Sequence, residues 1–174
     1  MGAFPDADLP EPIASAPRMF GGTLEPQRLP WRWATARLRS ARTYWIATTR
    51  PDGRPHARPV WGVWLDNSFY LSTGSLAVRN LAAQPAITVH LESGTDVVIV
   101  EGVARRLDDH ALLQRVVTIY NEKYQWDLDA GAMTDPFFVV RPEVAFGWVE
   151  DSAGLDGGAA FHSTATRWQF ERQE

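Results

Sequence analysis

The sequence predicts a mainly β domain, with six to seven antiparallel strands wrapped into a closed or nearly closed barrel and a few helices packed around them. Three observations lead there. From Thr43 onward, short runs of aromatic and β-branched residues succeed one another, each ended by Gly, Pro, Asp or Asn. Only one longer stretch keeps a helical period, through Leu113, Val116, Val117, Tyr120 and Tyr124. A series of antiparallel strands also leaves edges with unpaired backbone groups, and closure removes them.

Residues 1–29 hold Pro5, Pro10, Pro12, Pro17 and Pro26 with Gly21 and Gly22, and little periodicity. They read as an extended Pro-rich N-terminal arm, either loose or wrapped on a partner subunit. The barrel domain takes residues 30–174. A short helix follows Pro30, with Trp33, Ala36 and Leu38 on a mixed apolar face. Tyr44 to Thr49 is the first strand, and Pro51-Asp52-Gly53 turns it into a second, from about His56 to Leu65. Asp66-Asn67 leads to a third, Ser68 to Ser72. A short helix begins near Ser75 and is stopped by Pro85. Ile87 to Leu91 and Val97 to Leu107 follow as strands joined by Ser93-Gly94-Thr95-Asp96. Asp108 caps the longer helix. Phe137 to Glu150 is a strand in which Pro142 implies a bulge or an edge. A Gly-rich loop then reaches the last strand, Thr164 to Phe170.

Composition narrows the function. The 174 residues are 45% apolar and 22% charged, enough for one domain that buries roughly 70% of its unfolded surface. A net charge of −4 argues against nucleic acid as partner. The absence of cysteine excludes disulfides and thiolate metal sites. No apolar run approaches the length of a membrane span, and no signal pattern opens the chain, so a cytoplasmic protein without a membrane partner is expected. Among 17 basic residues only Lys123 is lysine, which reads as the bias of a GC-rich genome. Eight tryptophans are many, and part of the set fits a subunit contact.

His56, His90, His110 and His162 are scattered without metal-ligand spacing, and His90 with Glu92 is too little to hold an ion, so no metal is expected. Nucleophile-elbow, Walker and dinucleotide motifs are all missing, which leaves chemistry borrowed from a cofactor. The segment Leu71-Ser72-Thr73-Gly74-Ser75 ends a strand in hydroxyls and opens a helix, with Arg79 one turn in. A helix N-terminus holds phosphate readily, though the same residues also suit a capped helix that binds nothing. In the strand after Gly53, alternation sets His56, Arg58, Val60, Gly62 and Trp64 on one face and Ala57, Pro59, Trp61 and Val63 on the other. Gly62 inside a strand implies close approach by a ligand or another backbone. Trp61 and Trp64 fit a cofactor ring or a plain aromatic barrel wall equally well.

The order Ala47-Thr48 to Asp52-Gly53-Arg54-Pro55-His56, Pro59-Val60-Trp61-Gly62, Tyr70-Leu71-Ser72-Thr73-Gly74, Arg79-Asn80-Leu81, Val100-Glu101-Gly102-Val103-Ala104 and Ala165-Thr166-Arg167-Trp168 resembles the pyridoxamine 5′-phosphate oxidase-like flavoproteins. It is most similar to the actinobacterial branch that often uses the deazaflavin coenzyme F-420 in place of FMN, and the resemblance spans about Leu29 to Phe170. It implies an FMN-binding type of split β-barrel, a homodimer with two cofactors at the interface. By position it makes Arg58 a phosphate contact, and Pro59, Val60 and Trp61 the strand flanking the ring. It sets Leu71, Ser72 and Thr73 beneath the ring and ribityl chain, with Ser75, Arg79 and Asn80 at the phosphate loop. Arg167 and Trp168 become the C-terminal pair facing cofactor or substrate.

The departures from that pattern lie at three places. Leu76 and Ala77 stand where the loop usually carries a basic pair, Val63 replaces a lysine, and Gln169 stands where a histidine would serve vitamin B6. The reading is therefore a flavin- or deazaflavin-dependent oxidoreductase acting on a small organic substrate, with no residue singled out as acid or base. The alternative is a protein that binds such a cofactor without turnover, or has lost it; a true pyridoxamine 5′-phosphate oxidase is disfavoured.

Overall fold

The computed structural model describes residues 10–17, 27–74, 76–132 and 135–171. Its spine is a pair of long strands, β7 (Asp96–Arg106) and β8 (Phe137–Val149), antiparallel along their whole length. β6 (Ala86–His90) continues the sheet on the β7 side, then β2 (Tyr44–Thr49) and β3 (Pro55–Val60). On the other side β8 is shared. Its first half pairs with β5 (Ser68–Ser72), to which β4 (Val63–Leu65) is joined; its second half pairs with β9 (Thr166–Gln169), which carries β1 (Ile13–Ser15) on its outer edge. All pairings among the described residues are antiparallel.

Nine strands thus stand against the six to seven expected. Part of the N-terminal arm, β1, adds one, and the strand expected from His56 to Leu65 is two strands broken at Trp61-Gly62. The break has a local cause. The backbone N–H and C=O of Gly62 are both engaged by side chains of the long helix α3 (His110–Tyr124), so neither serves a ladder. The Pro142 irregularity is a bulge rather than an edge: Glu101 faces Val144 and Gly102 faces Pro142, leaving Glu143 as the extra residue. Asp109, one residue later than expected, caps α3 by accepting from the Leu112 N–H at 3.0 Å. A short helix, α4 (Ala159–Thr164), takes the start of the stretch expected to be strand.

The β2–β3 hairpin forms as its alternation predicts, with Tyr44, Ile46 and Thr48 turned inward. β4 and β5 are joined by Asp66-Asn67 at φ 49° and 52°, the paired positive values that a two-residue turn of matching twist requires. One core gathers residues from the inner faces of eight strands, Ile46, Val60, Trp64, Phe69, Leu71, Val89, Val100, Val140 and Trp168 among them. Helix α1 (Trp31–Ser40) closes it with Trp31, Ala34 and Leu38, spaced three and four apart. Trp31 meets Trp168 and Phe170 edge-on at 5.2 and 5.0 Å. Strands on several sides of one interior are what a split barrel has. A second core lies on the outer face, where α3 covers Val63, Leu65, Tyr70, Phe137 and Val139.

Glycine 62 is therefore fixed by space as well as by hydrogen bonding, since a Cβ there would lie 2.4 Å from the Phe69 ring and 2.6 Å from the Tyr70 carbonyl. Gly62→Ala should cost about 1–3 kcal/mol in denaturant unfolding, whereas Gly94→Ala, with open space around it, should stay within about 0.5 kcal/mol.

Candidate functional site

The corner between β5 and helix α2 (Leu76–Ala83) carries the hydroxyl residues singled out from sequence. Ser72 donates to the Pro136 carbonyl at 3.3 Å, and Thr73 is buried; Ser75 lies outside the described residues. Gly74 is backed by Asp135, whose carboxylate atoms stand 2.5–2.8 Å from where a Cβ would be. An acid so close to the loop opposes an incoming phosphate. On α2, Arg79 is exposed and Leu76 is 38% exposed, whereas Ala77 is fully buried in the main core. Of the two positions that lack the expected basic pair, only Leu76 offers room for a charge.

Asn80 has no exposed surface, and its amide donates to Thr48 Oγ1 at 2.9 Å. Thr48 in turn stands 3.4 Å from His56 Nδ1 across the hairpin. This relay ties α2 to the strand that bears Arg58, which faces the same side as His56 and is half-buried. The Asn80 Oδ1 is buried and accepts nothing from the described residues, so an acceptor remains open at the join.

The remaining predicted residues fall into separate places. Pro59 is exposed and Val60 buried, as alternation requires. Leu71 and Trp168 have no exposed surface and serve the core. Arg167 is half-buried on β9 beside Gln169, to which it donates. Between β9 and β3 lie β8, β7, β6 and β2, so the sheet does not set Arg167 beside Arg58. Trp64 belongs to the core, while Trp61 is 38% exposed. Among the described residues no three His, Asp or Glu side chains gather as a metal site, and no helix is long and apolar enough to cross a membrane.

Sequence reasoning missed a cluster around Gly62. Tyr124 Oη accepts from the Gly62 N–H at 2.9 Å and lies 2.8 Å from the carbonyls of both Gly62 and Arg42, its one proton serving either. Lys123 donates to the Gly62 carbonyl at 2.9 Å and to the Tyr44 hydroxyl at 2.7 Å, and Tyr44 passes its own proton to the Leu38 carbonyl. Trp61 stacks flat on Tyr124, centroids 4.6 Å apart. Burial pushes the Tyr44 and Tyr124 hydroxyls up, and takes Tyr120 up to about 12. Burial first, and the Arg42 charge second, bring Lys123 down to about 8. The available signals were a lone lysine and a glycine within a strand. Neither named its partners, which lie about sixty residues apart in the chain.

The model of the pyridoxamine 5′-phosphate oxidase family matches residues 34–170. No curated protein matches the sequence. Among solved structures, a conserved hypothetical protein of Mycobacterium tuberculosis is 25% identical at a TM-score of 0.65, covering 76% of this chain and 94% of its own. An F420 reductase is 22% identical with a TM-score of 0.50, over 62% of this chain and 92% of its own. A haem storage protein of Vibrio cholerae is 18% identical at 0.54, over 65% and 87%. The last two share the fold.

The Lys123 ammonium yields its proton in the folded protein at lower pH than in the unfolded chain, so the unfolded chain binds more protons between about 8 and the ordinary 10.5. Stability should therefore rise with pH across that window. The tyrosines oppose this above their ordinary 10.0, which leaves pH 8 to 10 clean. Chemical denaturation of wild type and Lys123→Met through that range should show the wild type gaining relative to the variant; parallel curves would refute it.

Proposed function

The chain belongs to the pyridoxamine 5′-phosphate oxidase family, and on that premise we propose that it is a cytoplasmic, homodimeric oxidoreductase that uses coenzyme F-420 or FMN to pass a hydride to or from a small organic substrate. The observation that carries this is the Asn80–Thr48 bond, 2.9 Å long, which fixes the hydroxyl-bearing corner and Arg79 beside the strand of Arg58. Arg58, Arg79, Ser72 and Thr73 would hold the phosphate tail, with Ser75 completing the loop and Asn80 fixing its helix. The residues fit such a tail, with less positive charge than Leu76 and Ala77 would allow if both were basic. Pro59 and Trp61 would flank the ring, with Val60 and Leu71 packed in the core behind that wall. A bound flavin or deazaflavin supplies a ring that accepts and returns hydride; the chain's own part is to bind, orient and exclude water.

The separation of Arg167 and Trp168 from Arg58 within one subunit supports the dimer, because a second copy can bring its C-terminal strand to the first copy's site. The likeness to an F420 reductase supports the deazaflavin over FMN. A second reading, cofactor binding without turnover, is favoured by the Asp135 carboxylate against Gly74 and by the missing basic pair.

An absorbance spectrum of the purified protein, followed by titration with F-420 and FMN, tests the assignment; binding of neither would overturn it. Arg58→Ala should weaken binding at least about tenfold, the loss of one charge-assisted contact, while Arg54→Ala, whose guanidinium is already paired with Asp52, should change it little. Leu76→Lys should tighten binding up to about fivefold at low salt, less at high salt. Ala77→Lys would bury its charge in the core and lower stability instead. Sedimentation should give a dimer, and a clean species of 19.5 kDa would remove the shared site.

A further inference from the structure

The residues that pin the strand break also build a feature beyond the phosphate tail, and it shares Trp61 with the wall proposed for the cofactor ring. Trp61 and Trp126 are 38% and 53% exposed, with ring planes 82° apart and centroids 5.4 Å apart. Together they form two walls of a right-angled corner. Trp61 cannot turn freely, because its inner face lies flat on Tyr124 and Tyr124 is itself held by Gly62 and the Arg42 carbonyl. The corner is therefore present before any ligand arrives, so little ordering opposes binding.

Its charge is unmatched. The Arg42 guanidinium is 5.6 Å from the Trp61 centroid and 5.4 Å from that of Tyr124. Being almost equidistant from two rings stacked on each other, it flanks the edge of the stack rather than capping a face. Ring edges carry positive hydrogens, so this position offers the cation little of the attraction a ring face gives. Among the described residues Arg42 makes no ion pair; Glu92 and Asp96 line the same shallow hollow, and Asp96 is held by Arg37 at 2.7 Å. Behind Arg42, Lys123 is satisfied only by neutral oxygens, those of Tyr44 and Gly62. One exposed cation, Arg42, thus stands beside the exposed Trp61 ring, and Lys123 lies inside against the buried Tyr44 and Tyr124 rings.

We propose that this corner binds the substrate as a planar aromatic carboxylate, its ring against Trp61 and Trp126 and its carboxylate at Arg42. An aliphatic acid would leave the tryptophans unfilled, and a neutral ring would leave the charge unmatched. Arg58 lies three residues before Trp61 on the same chain segment, so a ligand in the corner sits next to the strand assigned to the cofactor. As a substrate subsite the corner rests on the oxidoreductase reading, while as a binding site it stands without it.

Calorimetric titration of the full chain at neutral pH, without cofactor, uses naphthoate as probe, with naphthol and cyclohexanecarboxylate as controls for charge and flatness. Naphthoate should bind at least about tenfold more tightly than either control. Arg42→Gln should remove about tenfold of that affinity and Trp126→Ala about fivefold or more. Arg105→Gln, on a different surface, should leave it unchanged. Both corner variants alter exposed side chains, and thermal unfolding checks that they remain folded. Equal affinity for naphthol and naphthoate, or variants that bind as wild type does, would overturn the proposal. So would a Trp126→Ala protein that loses only its dimer, which would make the corner a subunit contact. Parallel F-420 and FMN titrations separate the two readings: cofactor binding intact with naphthoate binding absent refutes the corner alone, and the converse refutes the cofactor assignment alone.

Discussion

The peptide group of Gly62 is the point on which the arrangement turns. Its N–H and C=O are held by Tyr124 and Lys123 from the last turn of α3, so the chain leaves one strand and enters another over two residues. That change of direction sends Trp64 into the main core and sets Val63 and Leu65 beneath α3 in the outer one. β5 divides its residues in the same way by alternation, with Phe69 and Leu71 in the main core and Tyr70 in the outer one. The clamp also sets Lys123 against the Tyr44 and Tyr124 rings, 4.7 and 5.4 Å from their centroids, and each of these three side chains has a hydrogen-bond partner.

Much of the architecture was legible because it is local. The strand from Tyr44 to Thr49 was legible from its aromatic and β-branched residues, and Asp66-Asn67 announced its turn by residue type. The break at Gly62 was not legible, since the groups that cause it lie on α3 and the pattern from His56 to Leu65 alternates without interruption. α4 was hidden for a different reason: its few residues carry no helical period, and it is launched from Gly158 at φ 84°, a conformation that marks a loop when read from sequence. Asp108 and Asp109 are both competent caps, and only the backbone decides between them.

The candidate site divides along the same line. Arg58, Ser72, Thr73 and Arg79 could be found because residue type and spacing carry their chemistry. That Asn80 faces Thr48, that Ala77 is enclosed while Leu76 is not, and that Asp135 backs Gly74 all depend on contacts between distant segments. These contacts matter most for affinity. The corner carries the hydroxyls of Ser72 and Thr73 and is backed by the Asp135 carboxylate, so the balance there is set by position rather than by the count of charged residues.

The outer strand of the hairpin has a consequence for assembly. Among the described residues β3 is paired only with β2, and it contains Pro55 and Pro59 on one face, both exposed. A proline is tolerated in a ladder only where its nitrogen looks away from the partner strand, so both present a missing donor to the open side. A neighbouring chain seeking to extend the sheet would find acceptors without the matching N–H groups at two of the three outward positions, Pro55 and Pro59 but not Ala57. The edge is thereby protected from indiscriminate strand addition, and any contact made across it must rely on side-chain shape and charge, which only a specific partner can match.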